Sequence, residues 1–202
     1  MSHYFHTPTD DGKRRRIKAR IWDVDYEFET APGVFSADGL DLATGVLLRE
    51  NWPPENATRL LDLGCGWGPI AVALAAECPD AVVDAVDTNE LALQLTAANA
   101  RTAGVEDRVR PALPDDVDPD LEYDEIWSNP PIRIGKEALH ELLLTWLPRL
   151  KEGGVARLVV GRNLGADSLQ KWLITQGYSC ERMGSAKGFR VFEVRSTKPI
   201  SA

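Results

Sequence analysis

Thiols and imidazoles are scarce in this chain. Cys65, Cys78 and Cys180 are odd in number, far apart and without CxxC spacing, which argues against a disulfide framework and a structural zinc site. His3, His6 and His140 are equally scattered, so no metal is expected. Long apolar runs are also missing: nothing approaches the roughly 18 residues of a membrane span. The opening MSHYFHTPTDDGKRRR lacks the apolar core of a signal peptide. A cytoplasmic protein with no membrane partner is the expectation.

What is present has ordinary globular proportions. The 202 residues, 44% hydrophobic and 27% charged, are enough to bury one good core, so one main domain is expected. The net charge of −8 argues against an anionic partner until its distribution is considered. Residues 13–20, KRRRIKAR, hold six basic and no acidic side chains, leaving 17 basic against 31 acidic residues elsewhere. That run is either a solvated strand face or an arm in which Arg14, Arg15 and Arg16 contact phosphate.

Ile17, Ala19 and Ile21 alternate with Lys18 and Arg20, and Tyr26 and Phe28 continue the pattern, predicting a short β-hairpin with its turn near 23–25. Residues 1–32 are accordingly set apart as a basic extension, ahead of a domain over 33–202. After APGVFSADG, Leu40, Thr44, Leu47 and Leu48 fall at helical spacing until PPENA breaks the pattern. Then come strand-like runs at 59–63, 81–86, 108–112, 125–128, 155–160, 178–182 and 189–194. Helical stretches at 70–77, 90–103, 136–150 and 166–176 lie between most of them. Such alternation predicts an α/β fold with a mostly parallel seven-stranded sheet covered on both faces. The last two runs, joined only by GSAKG, should pair antiparallel. The acidic run from Asp115 to Glu125 reads as a solvated loop.

Three motifs carry the chemistry. In RLLDLGCGWGPIAVALA an apolar strand reaches Asp62, then Gly64, Gly66 and Gly68 make a tight turn into an Ala-rich helix. Glycines let the backbone approach a ligand, and the helix start offers free amides. Trp67, inside this loop, either covers a ligand or packs on the helix. Asp87 ends the next strand, where a carboxylate can accept both hydroxyls of a ribose while Thr88 or Asn89 caps the following helix. In WSNPPIR, Asn129 places an amide where Pro130 and Pro131 end a strand abruptly.

The DxGxGxG loop and Asp87 together resemble the S-adenosylmethionine site of class I methyltransferases, with a Rossmann-like sheet whose last strand runs antiparallel. SNPPI resembles the (N/D)PP(Y/F) signature of enzymes that methylate amine or amide nitrogen. The flanks PGVFSADGLDLATGVLLR, SNPPIRIGKEALHELL and GFRVFEV resemble the small-domain methyltransferases, whose best-known members modify the exocyclic amine of a guanine in small-subunit ribosomal RNA. Those with two domains carry a further N-terminal domain, whereas about thirty residues precede the block here, as in a single-domain relative.

The resemblance implies that Asp62, Gly64, Cys65, Gly66, Gly68, Asp87, Thr88 and Asn129 hold S-adenosylmethionine. It implies that Asn129, Pro130 and Pro131 orient the target amine. Phe35, Ile132 and Arg133 would meet an RNA substrate, as would Arg14, Arg15 and Arg16. Ile132 stands where the family usually has an aromatic ring that stacks on the base, and Phe35 or Phe189 is the candidate to supply a ring from another loop. The alternatives are an acceptor in a protein glutamine amide, a transfer RNA or a small molecule, and a non-catalytic RNA-binding factor.

Overall fold

A computed structural model describes residues 14–131 and 134–197. Ile132 and Arg133, named above on the substrate side, lie outside the described residues, as does Lys13 of the basic run. The chain begins with β1 (Arg15–Ile21) and β2 (Val24–Thr30), paired antiparallel with Ile17 opposite Phe28 and Ala19 opposite Tyr26. Their turn falls at Trp22 (φ 46°) and Asp23 (φ 66°), a little earlier than expected. Two successive left-handed residues match the twist of a two-residue hairpin. The Trp22 indole N–H donates to the carbonyls of Leu48 and Asn51, satisfying acceptors at the end of α1 (Leu42–Glu50). The hairpin thus locks onto the helix that follows it.

Seven strands then form one sheet: β3 (Arg59–Leu63), β4 (Val82–Val86), β5 (Val109–Ala112), β6 (Tyr123–Ser128), β7 (Leu150–Gly161), β8 (Tyr178–Ala186) and β9 (Phe189–Ser196). Their order is β5-β4-β3-β6-β7-β9-β8. The pairs from β5 to β7 are parallel, and β9 lies antiparallel between β7 and β8. The helices α2 (Pro69–Glu77), α3 (Glu90–Thr102), α4 (Lys136–Trp146) and α5 (Ala166–Thr175) alternate with the strands. One core joins the hairpin, α1, α2 and α3 to one face of the sheet, and the other packs α4 and α5 on the opposite face. Phe28 and Ile21 belong to the first core, so residues on both sides of position 32 are buried together.

Strand order reverses between β3 and β6, and a crevice for a ligand opens outside the carboxyl ends of strands at such a point. Several boundaries moved from expectation: β7 already begins at Leu150 rather than 155, and β8 runs on to Ala186 rather than ending at 182. The helix expected to reach residue 150 stops at Trp146 and tightens into a 3₁₀ turn over Leu147–Arg149, because Pro148 has no N–H to continue it. The last two members of the acidic run are not loop residues. Asp124 accepts from Thr58, Arg59 and Lys151, while Glu125 lies buried in β6. Arg157 holds Glu125 with two bonds of 2.9 Å, a pairing that offsets the cost of burying either charge. Among the described residues no helix is long and apolar enough to cross a membrane.

Candidate active site

The site is assembled where β3, β4 and β6 end side by side. After Leu63 the chain turns through Gly64 (φ 79°), Gly66 (φ 56°) and Gly68 (φ 87°), left-handed values that side chains rarely tolerate. At Gly68 a Cβ would also lie 2.8 Å from Thr96 of α3, so this glycine lets the loop sit directly on that helix. At Gly66 a Cβ would meet nothing within 4 Å. The amides of Gly64 and Cys65 donate to the carbonyl of Val86 at 2.8 and 3.0 Å, tying the loop to the end of β4.

Asp62 lies beneath the loop with no exposure. Its Oδ2 accepts the Ala71 amide at 2.9 Å, doing for α2 what the N-cap residue, Gly68, has no side chain to do. Its Oδ1 has no partner. Burial pushes the carboxyl up to about 8; the Ala71 amide opposes that rise and the neighbouring Asp87 adds to it. Asp62 therefore supports the crevice from below.

Asp87 is half-buried at the tip of β4. Its two oxygens accept the amides of Gly66 and Asn89, each at 2.9 Å, which leaves one lone pair on each oxygen. Asn89 caps α3 by accepting from Leu91, and its Nδ2 donates to the Gly33 carbonyl, while Thr88 stays exposed. Cys65 is buried between the Gly66 carbonyl and Thr96, and burial raises its thiol pKa, so it packs as a neutral group. Trp67 is also buried: its indole N–H donates to the Ser36 carbonyl and its ring meets Phe28 edge-on at 5.0 Å. Of the two sequence readings for Trp67, packing is the one realised.

Across the crevice, the Ser128 hydroxyl donates to the Leu63 carbonyl at 2.7 Å, fixing the end of β6 to the end of β3. Asn129 follows. Its Nδ2 donates to Asp41 Oδ2 at 2.9 Å and to Thr44 Oγ1 at 3.0 Å, the N-cap and a first-turn residue of α1. Pro130 is buried and Pro131 exposed, its Cδ 4.0 Å from where a Cβ on Gly64 would stand, so the two motifs abut. The crevice walls are Phe35 and Ser36, Asp41 and Thr44, Gly64 to Gly66, and Asn129. Phe35 stands at the mouth, 63% exposed. Asp41 and Thr44 were not singled out from the sequence as site residues. The available signal was only that an Asp before an apolar helix makes a good cap.

The hairpin cations face acids. Arg14 pairs with Glu29, Arg15 with Asp38, Lys18 with Glu27, and Arg20 with Asp23 and Asp25. Among the described residues Arg16 has no ion-pair partner. Antiparallel register places the acids of β2 opposite the basic residues of β1, so the run that looks concentrated in sequence is largely neutralised in space.

Residues 25–193 match the family model described as the methyltransferase small domain. The chain belongs to that family. An uncharacterized protein of Bacillus subtilis, YbxB, is 30% identical over 168 residues, covering 82% of this chain and 84% of its own length. Ribosomal RNA large subunit methyltransferase G of a Shewanella species is 32% identical over 78% of this chain. Ribosomal RNA small subunit methyltransferase C of Hahella chejuensis is 39% identical over 67%. The match spans only 45% and 40% of those two relatives. The T. thermophilus 16S rRNA N2 G1207 methyltransferase, solved in complex with AdoMet and guanosine, shares the fold with a TM-score of 0.74 at 22% identity. It covers 94% of this chain and 52% of its own. A ribosomal protein L11 methylase from Lactobacillus delbrueckii also shares the fold, with a TM-score of 0.65.

As a member of the small-domain family the chain takes S-adenosylmethionine as its cofactor. The site fits that group: left-handed glycines leave open space at Gly66, a carboxylate with free lone pairs stands at the tip of β4, and a helix starts at Pro69.

Proposed function

We propose that the protein transfers a methyl group from S-adenosylmethionine to the exocyclic amine of a guanine in ribosomal RNA. The observation that carries this reading is Asn129. Both of its amide protons are taken by Asp41 and Thr44, which leaves its side-chain oxygen as an acceptor at the crevice, the group that an N–H donor needs.

Bound S-adenosylmethionine supplies a methyl group on a positively charged sulfur. The glycine loop and Asp87 would hold its methionine and ribose ends, and Asn129 would orient the acceptor nitrogen toward the methyl group. A C–N bond forms as the C–S bond breaks. The electron pair stays on sulfur, and the nitrogen releases a proton to solvent. Position and charge relief at nitrogen count for more than a strong base because the donor is already activated. Phe35, exposed at the mouth, offers a ring for the base to stack on.

Relatives named as ribosomal RNA methyltransferases, together with a structural neighbour holding guanosine, support the RNA acceptor. The ion-paired hairpin and the net charge of −8 favour instead a protein amide or a small-molecule amine. Nucleoside mass spectrometry of ribosomal and transfer RNA from a strain lacking the protein separates the two. Loss of a methylated guanine from ribosomal RNA is expected, and unchanged RNA nucleosides would overturn the RNA reading.

A further inference from the structure

Asn129 closes a strand, and nothing in its own loop decides which way its amide faces. That choice matters chemically, because a side-chain amide turned over offers donors where it had offered an acceptor. The decision comes from α1. Asp41 is the N-cap of that helix, its Oδ2 accepting the amides of Ala43 at 2.8 Å and Thr44 at 3.1 Å, and the same oxygen accepts from Asn129 Nδ2 at 2.9 Å. Thr44 Oγ1 accepts the second amide proton at 3.0 Å. Turning the amide over would set its carbonyl oxygen against a carboxylate, removing a charge-assisted bond and adding a repulsion. The capping carboxylate is already fixed by two backbone amides, so it has little freedom to move aside.

We infer that Asp41 and Thr44 are positioning residues that lock the Asn129 amide with its oxygen toward the crevice, making the site selective for an acceptor that donates N–H or O–H over one that offers only lone pairs. The inference rests on reading Asn129 as the group that meets substrate. It adds a device the Asn-Pro-Pro turn does not contain: the polarity of the site is set by the first turn of a helix some 85 residues earlier in the chain. A hydroxyl or N–H acceptor satisfies such a site, whereas a bare carbonyl would face oxygen against oxygen and be rejected.

Two variants each remove one of the two bonds of the lock without removing the helix. Thr44→Val keeps the shape of a buried side chain and deletes its acceptor. Asp41→Ser keeps a good N-cap but is too short to reach Asn129. Thr44→Ser is the rescue. The first measurement needs no substrate: in ¹⁵N-labelled protein the Asn129 side-chain amide, identified by its loss in Asn129→Ala, should show both protons protected from exchange. Thr44→Val and Asp41→Ser should lose that protection, and Thr44→Ser should retain it.

The second measurement is methyl transfer from labelled S-adenosylmethionine to ribosomal RNA extracted from a strain lacking the protein. Turnover should fall about tenfold in Thr44→Val and Asp41→Ser, with cofactor affinity unchanged within twofold, and Thr44→Ser should restore it. Unprotected Asn129 protons in the wild type would overturn the inference. So would wild-type turnover in both variants alongside an inactive Asn129→Ala. If the wild type methylates no RNA, the proposed substrate falls while the exchange measurement still decides whether the lock exists.

Discussion

Asp62 gives the sharpest test of the structure, because its carboxyl is buried, half-satisfied and pushed up to about 8 from an ordinary 3.8. A raised carboxyl pKa means that the folded state holds a proton that the unfolded chain releases. Stability from this group is therefore full below about pH 4 and is lost as pH rises toward about 8. Within that window the loss is about 1.4 kcal/mol per pH unit, so from pH 5 to pH 7 Asp62 alone costs about 3 kcal/mol. Asp62→Asn keeps an oxygen for the Ala71 amide and does not titrate. Its side-chain nitrogen meets the same partnerless surroundings as the protonated Oδ1, so the cost of that orphan cancels in the comparison.

The variant should thus gain on the wild type as pH rises. For a chain of this length the gap in Tm should widen by about 5 to 10 °C between pH 5 and pH 7. For Asp124 burial is the largest single effect and pushes the carboxyl up, but hydrogen bonds from Lys151, the Arg59 and Thr58 amides and the Thr58 hydroxyl together outweigh it and hold the group down to about 2; it titrates in both proteins and drops out of the difference. Melting curves by circular dichroism at pH 5, 6 and 7 make the comparison. A constant gap across that range would refute the buried, protonated Asp62.

Gly68→Ala combines a left-handed backbone with a contact at Thr96, so it should cost about 1 to 3 kcal/mol in a denaturant titration and weaken cofactor binding in calorimetry. Phe35→Ala removes an exposed ring: Tm should stay within a degree or two, while affinity for ribosomal RNA falls about tenfold. Changing Arg14, Arg15 and Arg16 together to Ala should lower the slope of log affinity against log salt by about one unit, because Arg14 and Arg15 already face Glu29 and Asp38. A fall near three would show that those pairs open to phosphate.

Strand and helix order was legible because periodicity and turn residues are local properties of the chain. The βα alternation from Arg59 onward and the antiparallel pairing of β9 with β8 follow from run lengths and from a connection too short for a crossover, five residues as read from the sequence and only Lys187 and Gly188 in the structure. The glycine loop, Asp87 and Asn129 were legible for the same reason: each combines a residue type with a strand end. Only three-dimensional packing decided the rest. Register across the hairpin set Glu27 against Lys18 and turned an apparent basic patch into ion pairs. Packing placed Asp62 beneath the loop, where desolvation raises its pKa, and the Phe28 contact made Trp67 a core residue. Above all, folding brought Asp41 and Thr44 to Asn129. Hydrogen bonds act over about 3 Å of space whatever the separation along the chain, so the amide was readable in the sequence and its orientation was not.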